Sequence, residues 1–238
     1  MRIRSLTLAV TGVLALAASG CAQDDQAGTA AEPKPAAQAK PTTGVCDGVP
    51  GCDVVADTDV DGDGVADQVG FVVKTRQEVA VHVKTSSGQT LQHPLQVMWF
   101  PRGEFYGAAP IDGRPGAELV VGTNMGAHTL FFTTLSVQDG RIVQLGAPDG
   151  AGEWMVDGAF SYHAGVTRRV EDGQAVVTLS DAARKGHRSA FSGRDRTYVW
   201  TDGGWQHRST TRQQYRGEES VTEVGGWHVD GLPRFPEL

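Results

Sequence analysis

From Val54 onward the chain shows no long stretch with apolar residues at helical spacing. Short β-branched or aromatic runs alternate with polar positions instead, and each stops at a glycine-containing turn. Val79-Ala80-Val81-His82-Val83-Lys84 alternates and meets Ser86-Ser87-Gly88. Between Thr129 and Val137, the residues Phe131, Thr133, Leu135 and Val137 fall on one face, and Asp139-Gly140 separates them from Arg141–Leu145. Thr167–Glu171 and Gln174–Leu179 flank Asp172-Gly173, and Thr197–Trp200 meets Asp202-Gly203-Gly204 and Trp205. Asp-Gly between alternating runs signals a tight hairpin, because both central positions take positive φ. Three such turns in series predict sequential antiparallel hairpins and an all-β fold.

One stretch breaks that pattern with charge. Asp57-Thr58-Asp59-Val60-Asp61-Gly62-Asp63-Gly64-Val65-Ala66-Asp67 places five carboxylates among glycines. Read from Asp59, the side chains of Asp59, Asp61, Asp63 and Asp67 stand at loop positions 1, 3, 5 and 9, and the carbonyl of Val65 stands at position 7. Gly64 occupies position 6, where such a loop turns sharply. An oxygen-only donor set of this kind suits Ca²⁺. A frame opening at Asp57 puts Val65 at position 9 and is poorer; which Asp opens the loop stays open. An EF-hand needs a bidentate Glu at position 12 and a helix after it. Here Gly70 or Gln68 holds that position, and Gln68–Lys74 reads as a strand. The competing reading is a solvated acidic turn without a metal; the number of alternating carboxylates favours a cation.

A partner for this loop lies 51 residues on, where Asp112–Val121 can be laid on Asp61–Gly70. Asp112 then matches Asp61 and Glu118 matches Asp67, while Pro110 and Arg114 replace two of the carboxylates. The expectation is a degenerate, metal-free loop in which Arg114 stands in for the ion and bridges Asp112 and Glu118. Chance similarity of two Asp/Gly turns before strands is the alternative. A third unit, without an acidic loop, can start at Trp154–Phe160.

The run Asp59–Val69 resembles the calcium loop of FG-GAP or VCBS-type repeats, which sit in β-propeller blades of integrin-like heads and of many bacterial surface proteins. The resemblance covers one loop well and a second poorly. It implies one Ca²⁺ held by Asp59, Asp61, Asp63, Asp67 and the Val65 carbonyl. It also implies blade-like hairpins in a domain spanning 45–238. About 190 residues leave room for roughly three or four blades. The expected architecture is therefore a small or incomplete β-propeller, or alternatively a two-sheet β-sandwich, with the outer strands capped by residues 205–238.

The N-terminus reads as an address. Arg2 and Arg4 precede a short apolar run, Leu6 to Ala18, too short to span a bilayer as a mature helix. Ala18-Ser19-Gly20-Cys21 resembles a bacterial lipobox, with Ala18 where Leu is usual. The resemblance implies a signal peptide over 1–20, cleavage before Cys21 and lipidation of its thiol. The domain would then be exported and anchored through acyl chains to the outer face of the bacterial cell membrane. Ordinary cleavage nearby, leaving Cys21 as an odd thiol, is the alternative. Residues 22–44 lack large apolar side chains almost entirely and read as a tether. Cys46 and Cys52, across a Gly/Pro turn, are expected to form a disulfide. A two-thiolate metal site is the rival and lacks nearby partners.

The net charge is −7, and loss of a leader containing Arg2 and Arg4 makes it more negative. That argues against nucleic acid as a partner, since binding it relies on Lys and Arg at phosphates. No G-x-S-x-G elbow, H-E-x-x-H pair or phosphate-binding Gly-Lys loop occurs. A glycosidase needs only two carboxylates, for which Glu153, Asp157, Glu218 and Glu219 are available without being singled out. Gly122–Thr129 reads as a small-residue loop in which Asn124 and His128 could bind a ligand or simply close a turn. Arg184, Lys185, His187, Arg188, Arg194 and Arg196 form a basic run, a solvated loop or a contact patch. Trp99, Trp154, Trp200, Trp205 and Trp227 either fill the core or stack on sugars or a protein partner. The leading function is a lipid-anchored, calcium-binding surface module for an unknown protein or glycan partner. The alternative is an exported carbohydrate-active hydrolase on the same scaffold.

Overall fold

A computed structural model describes residues 43–98, 103–186, 190–201 and 203–235. Cys21, the signal segment 1–20 and residues 22–42 of the tether lie outside the described residues, as do Trp99, His187, Arg188 and Asp202. The fold is all-β and built from antiparallel hairpins. The first sheet is a four-stranded meander of β1 (Cys52–Thr58), β2 (Asp67–Val73), β3 (Glu78–Lys84) and β4 (Thr90–Gln96). A second meander follows: β5 (Glu104–Ala109), β6 (Glu118–Met125), β7 (Thr129–Gln138) and β8 (Arg141–Leu145). Moving the first meander along the chain by the 51-residue offset lands each strand on its counterpart, with β2 starting at Asp67 and β6 at Glu118.

The hairpin turns form where the Asp-Gly pairs stand. Asp139 and Asp172 take φ of 48° and 49°, and the glycines after them 69° and 79°. Both central positions are thus left-handed, as a two-residue turn between twisted strands requires.

The third unit departs from a separate blade. It comprises β9 (Trp154–Gly158), β10 (Tyr162–Glu171), β11 (Gln174–Arg184), β12 (Ala190–Thr201) and β13 (Gly204–Arg216). The first half of β7 pairs with β9 and its second half with β8, so both strands share one edge. Units two and three therefore merge into a ten-stranded sheet. No barrel or ring closes among the described strands.

The C-terminal segment does not cap an outer strand as expected. β13 is itself the outer strand, and after the short helix α1 (Glu219–Thr222) the chain turns back. There β14 (Gly226–His228) pairs in parallel with Gly165–Thr167 of β10. The reason is packing. Trp227 is 2 % exposed and sits against Phe132 and Trp154, so burying that indole draws the segment inward. Gly165 admits it, since a Cβ there would lie 1.9 Å from the Val224 carbonyl oxygen.

One buried cluster spans both sheets and includes Val79, Val81 and Val83 of β3 together with Leu119, Val121, Phe132 and Trp154. The outer face of the first sheet is covered differently. Cys46 and Cys52 form a disulfide, and a Cβ on Gly70 would lie 2.8 Å from Cys52 Sγ and 3.0 Å from Cys46 Sγ. Glycine at this position lets the bridge lie on β2. The prediction is that Gly70→Val lowers the melting temperature, at a cost of roughly 1–3 kcal/mol from overpacking. The loss should shrink when Cys46 and Cys52 are both alanine, as differential scanning calorimetry of the single and triple variants can check.

Candidate metal centre

The acidic loop runs between β1 and β2, and its shape is set by carboxylates accepting the loop's own amides. Asp67, the first residue of β2, is 1 % exposed. Its Oδ2 accepts the N–H of Val60 at 2.9 Å and of Asp61 at 3.4 Å. Asp59 Oδ1 accepts from Gly62 at 2.7 Å, and its Oδ2 accepts from Gly64 at 2.9 Å. Gly62 and Gly64 are both left-handed, at φ 83° and 84°. With its amide tied to Asp67, Val60 places its side chain in the core at 2 % exposure.

This folding brings Asp59, Asp61 and Asp67 together, with one oxygen of each within 4.8 Å of the others. Asp57 lies in β1 opposite Gln68, so the loop opens at Asp59. Asp63, expected as a ligand, is not part of the converging trio. Its Oδ1 accepts the Val65 amide at 2.7 Å, and its Oδ2 accepts the Ser86 hydroxyl at 2.6 Å. Those two bonds hold its carboxyl below the usual range. Val65 keeps its side chain at the surface. Ser86, in the β3–β4 turn, also donates its N–H to Asp67 Oδ1 at 2.7 Å. Nothing in the local motif marks Ser86, because it comes from the next hairpin.

The donor set fits a hard divalent cation. Burial raises the Asp61 carboxyl above its ordinary range, and the nearby charges of Asp67, Asp63 and Asp59 raise it further, against the Asp63 amide that lowers it. A divalent ion among these oxygens would relieve both effects.

The second loop, between β5 and β6, repeats the scaffold. Glu118 Oε2 accepts the amides of Ile111 at 2.6 Å and Asp112 at 3.3 Å, as Asp67 does for Val60 and Asp61. Asp112 Oδ1 accepts the Arg114 amide at 2.6 Å, as Asp61 does for Asp63. The expected bridge from the Arg114 side chain to Asp112 and Glu118 is not formed. The guanidinium lies 5.6 Å from the Trp200 ring centre instead. Gly113 allows this, since a Cβ there would lie 2.5 Å from the Trp200 ring, and the indole face offers the cation an alternative partner. Asp112 Oδ2 is buried without a hydrogen-bond partner among the described residues.

The two loops stack on each other. The Ala117 amide donates to the Asp59 carbonyl at 2.8 Å, and a Cβ on Gly62 would meet Pro115 at 2.8 Å. Comparison with protein families, curated proteins and solved structures returns no match for this chain.

The other candidates are dispersed. Asn124 lies within β6 opposite Phe131, and His128 lies exposed in the short turn after it. Only Gly126–His128 separates the strands, so the expected longer loop is absent. Trp154 and Trp227 are buried, and Trp200 and Trp205 pack against the same core. Among the basic residues, Arg184 lies over Phe160 and Phe191 and pairs with Glu218, and Arg194 and Arg196 face Asp181. Asp157 is buried and accepts the Thr129 hydroxyl, Glu219 is exposed on α1, and Glu153 accepts the Thr123 hydroxyl at 2.7 Å.

Burial first, and Asp112 second, push Glu118 up to about 7 against amide and Ser136 bonds that lower it. The folded chain then holds a proton that the unfolded chain releases near 4.5. Stability should fall as pH rises from about 4.5 to 7, by on the order of 3 kcal/mol. Glu118→Gln keeps an acceptor for the Ile111 and Asp112 amides without the charge. Its melting temperature should match the parent near pH 4.5 and exceed it by several degrees at pH 8. A pH-independent difference would show that Glu118 does not titrate in this window.

Proposed function

We propose that this chain is a calcium-stabilised β-repeat module of the FG-GAP/VCBS type. In this reading it is exported and held at the outer face of a bacterial membrane by acyl chains on Cys21, and it presents a rigid surface to a protein or glycan partner. The observation that carries the reading is the convergence of Asp59, Asp61 and Asp67 on one point, in a loop already ordered by its amides. All donors are oxygens, which favours Ca²⁺ over Zn²⁺. The ion would be held by those three carboxylates, with Asp63 and the Val65 carbonyl reached by rearrangement of the Ser86 contact. It would supply charge compensation and no chemistry. What supports the anchor is the sequence alone, Ala18-Ser19-Gly20-Cys21 followed by the polar tether.

The metal site lies where it would matter to the fold. It pins the first loop, and the first loop carries the second through Ala117 and Pro115. A bound ion would therefore stiffen the junction of units one and two.

Calorimetric titration of the protein with Ca²⁺ should give one site, and the melting temperature should rise and fall back on chelation. At a hundred times Kd the gain is about 2.7 kcal/mol. Asp61→Asn should remove most of it. Binding should weaken as pH is lowered, because Asp61 takes up its proton above the ordinary carboxylate range. No heat and an unmoved melting temperature would overturn the metal reading. For the anchor, cells fed an alkyne-tagged fatty acid should label the protein, and Cys21→Ala should abolish the label.

A further inference from the structure

A cavity of about 250 Å³ opens where the chain leaves β8, makes an excursion over 146–153 and returns as β9. Its apolar wall comes from Phe131, Trp154, Met155, Ala164 and Leu179. Its polar side carries Asp149, Glu153, Asp181, Tyr162, Ser180 and Arg196. The volume lies just below the roughly 300 Å³ at which drug-sized sites begin. The cavity is far in sequence from the acidic loop and shares no residue with it.

The charges on its polar side do not balance. Arg196 lies 3.7 Å from Asp149 and 3.5 Å from Asp181, with its side chain 28 % exposed and that of Asp181 14 %. Asp181 is shared with Arg194, 3.9 Å away, so two guanidinium groups face Asp149 and Asp181. Glu153 adds a third carboxylate, whose Oε1 takes the Thr123 hydroxyl and which has no cationic partner among the described residues. Arg196 Nε is buried and has no hydrogen-bond partner among the described residues. Burial raises the Tyr162 hydroxyl above its ordinary range, so it stays neutral and adds no further negative charge. The site therefore holds an apolar wall, a surplus of negative charge and one unused donor.

We propose that this cavity binds a small organic cation: an ammonium group on an apolar or aromatic body, with a hydroxyl beside the amine. The body lies on Phe131, Met155 and Leu179, the ammonium meets Glu153 and Asp149, and the hydroxyl oxygen accepts from Arg196 Nε. Partial desolvation beside the apolar wall strengthens the ammonium–carboxylate contact relative to water. An anion of the same shape is repelled, and a neutral alcohol leaves the carboxylates unanswered.

Three probes of nearly one shape separate these cases: phenylalaninol, 3-phenylpropan-1-ol and 3-phenylpropanoate. Binding to the full protein is read by calorimetry and by tryptophan emission excited at the red edge, since Trp154 forms part of the wall. Phenylalaninol should bind at least about tenfold more tightly than the neutral alcohol, and the propanoate should bind most weakly. Glu153→Gln and Asp149→Asn should each weaken phenylalaninol about tenfold and leave the alcohol unchanged, with melting curves confirming that both variants fold. Equal binding of the three probes, tighter binding of the propanoate, no heat with millimolar phenylalaninol, or unchanged affinity in both folded variants would each overturn the assignment. The titrations are run with Ca²⁺ and with chelator. Amine binding that survives chelation stands whether or not the metal reading does.

Discussion

A buried carboxylate at the start of a strand, collecting amide hydrogens from the loop before it, is the contact on which this fold turns. Asp67 does this for Val60 and Asp61, and Glu118 does it for Ile111 and Asp112. Burying an acid is costly unless its oxygens are satisfied. Here the partners are the loop's own amides, so the loop cannot relax without exposing the acid to an unmatched interior. The same bonds aim Val60 and Ile111 into the core, at 2 % and 0 % exposure. Loop shape, core packing and the convergence of the remaining carboxylates follow from one motif used twice.

The two copies have diverged in how they answer their charge. The first keeps a trio of aspartates whose oxygens converge, and burial, with the charges of the neighbouring aspartates behind it, raises the Asp61 carboxyl. The second has a longer acid, fully inside, whose carboxyl is pushed up to about 7 by burial first and by Asp112 second. Its arginine has gone to an indole rather than to the acids. Because the loops stack through Ala117 and Asp59, the charge state of one is mechanically close to the geometry of the other.

Local chemistry was readable in advance and long-range closure was not. The Asp-Gly turns announced themselves, since Asp139 and Asp172 adopt the backbone their neighbours demand. The disulfide was legible from a separation of six residues, and the 51-residue repeat from two short Asp/Gly motifs that each precede a strand. The opening of the loop at Asp59 became clear only once Asp57 was paired with Gln68 in a strand. Ser86 was invisible because the turn that supplies it is distant along the chain. The attraction of Arg114 to Trp200 and the sharing of β7 by β8 and β9 depend on which surfaces meet, which no spacing encodes. The cavity likewise draws its lining from the 146–153 excursion and from β7, β9, β10, β11 and β12, segments far apart along the chain.

The outermost strand, β13, thirteen residues long, has no strand partner on its outer side among the described residues. Such a margin normally recruits another chain. Its sequence, with Arg208, Arg212 and Arg216 among Ser, Thr and Gln, surrounds that edge with bulky, hydrated cations. At one margin of the first sheet, β4 carries Pro94, which has no N–H to offer. Along these two margins, another copy of the chain would meet cations and a missing N–H in place of a ready template for strand pairing.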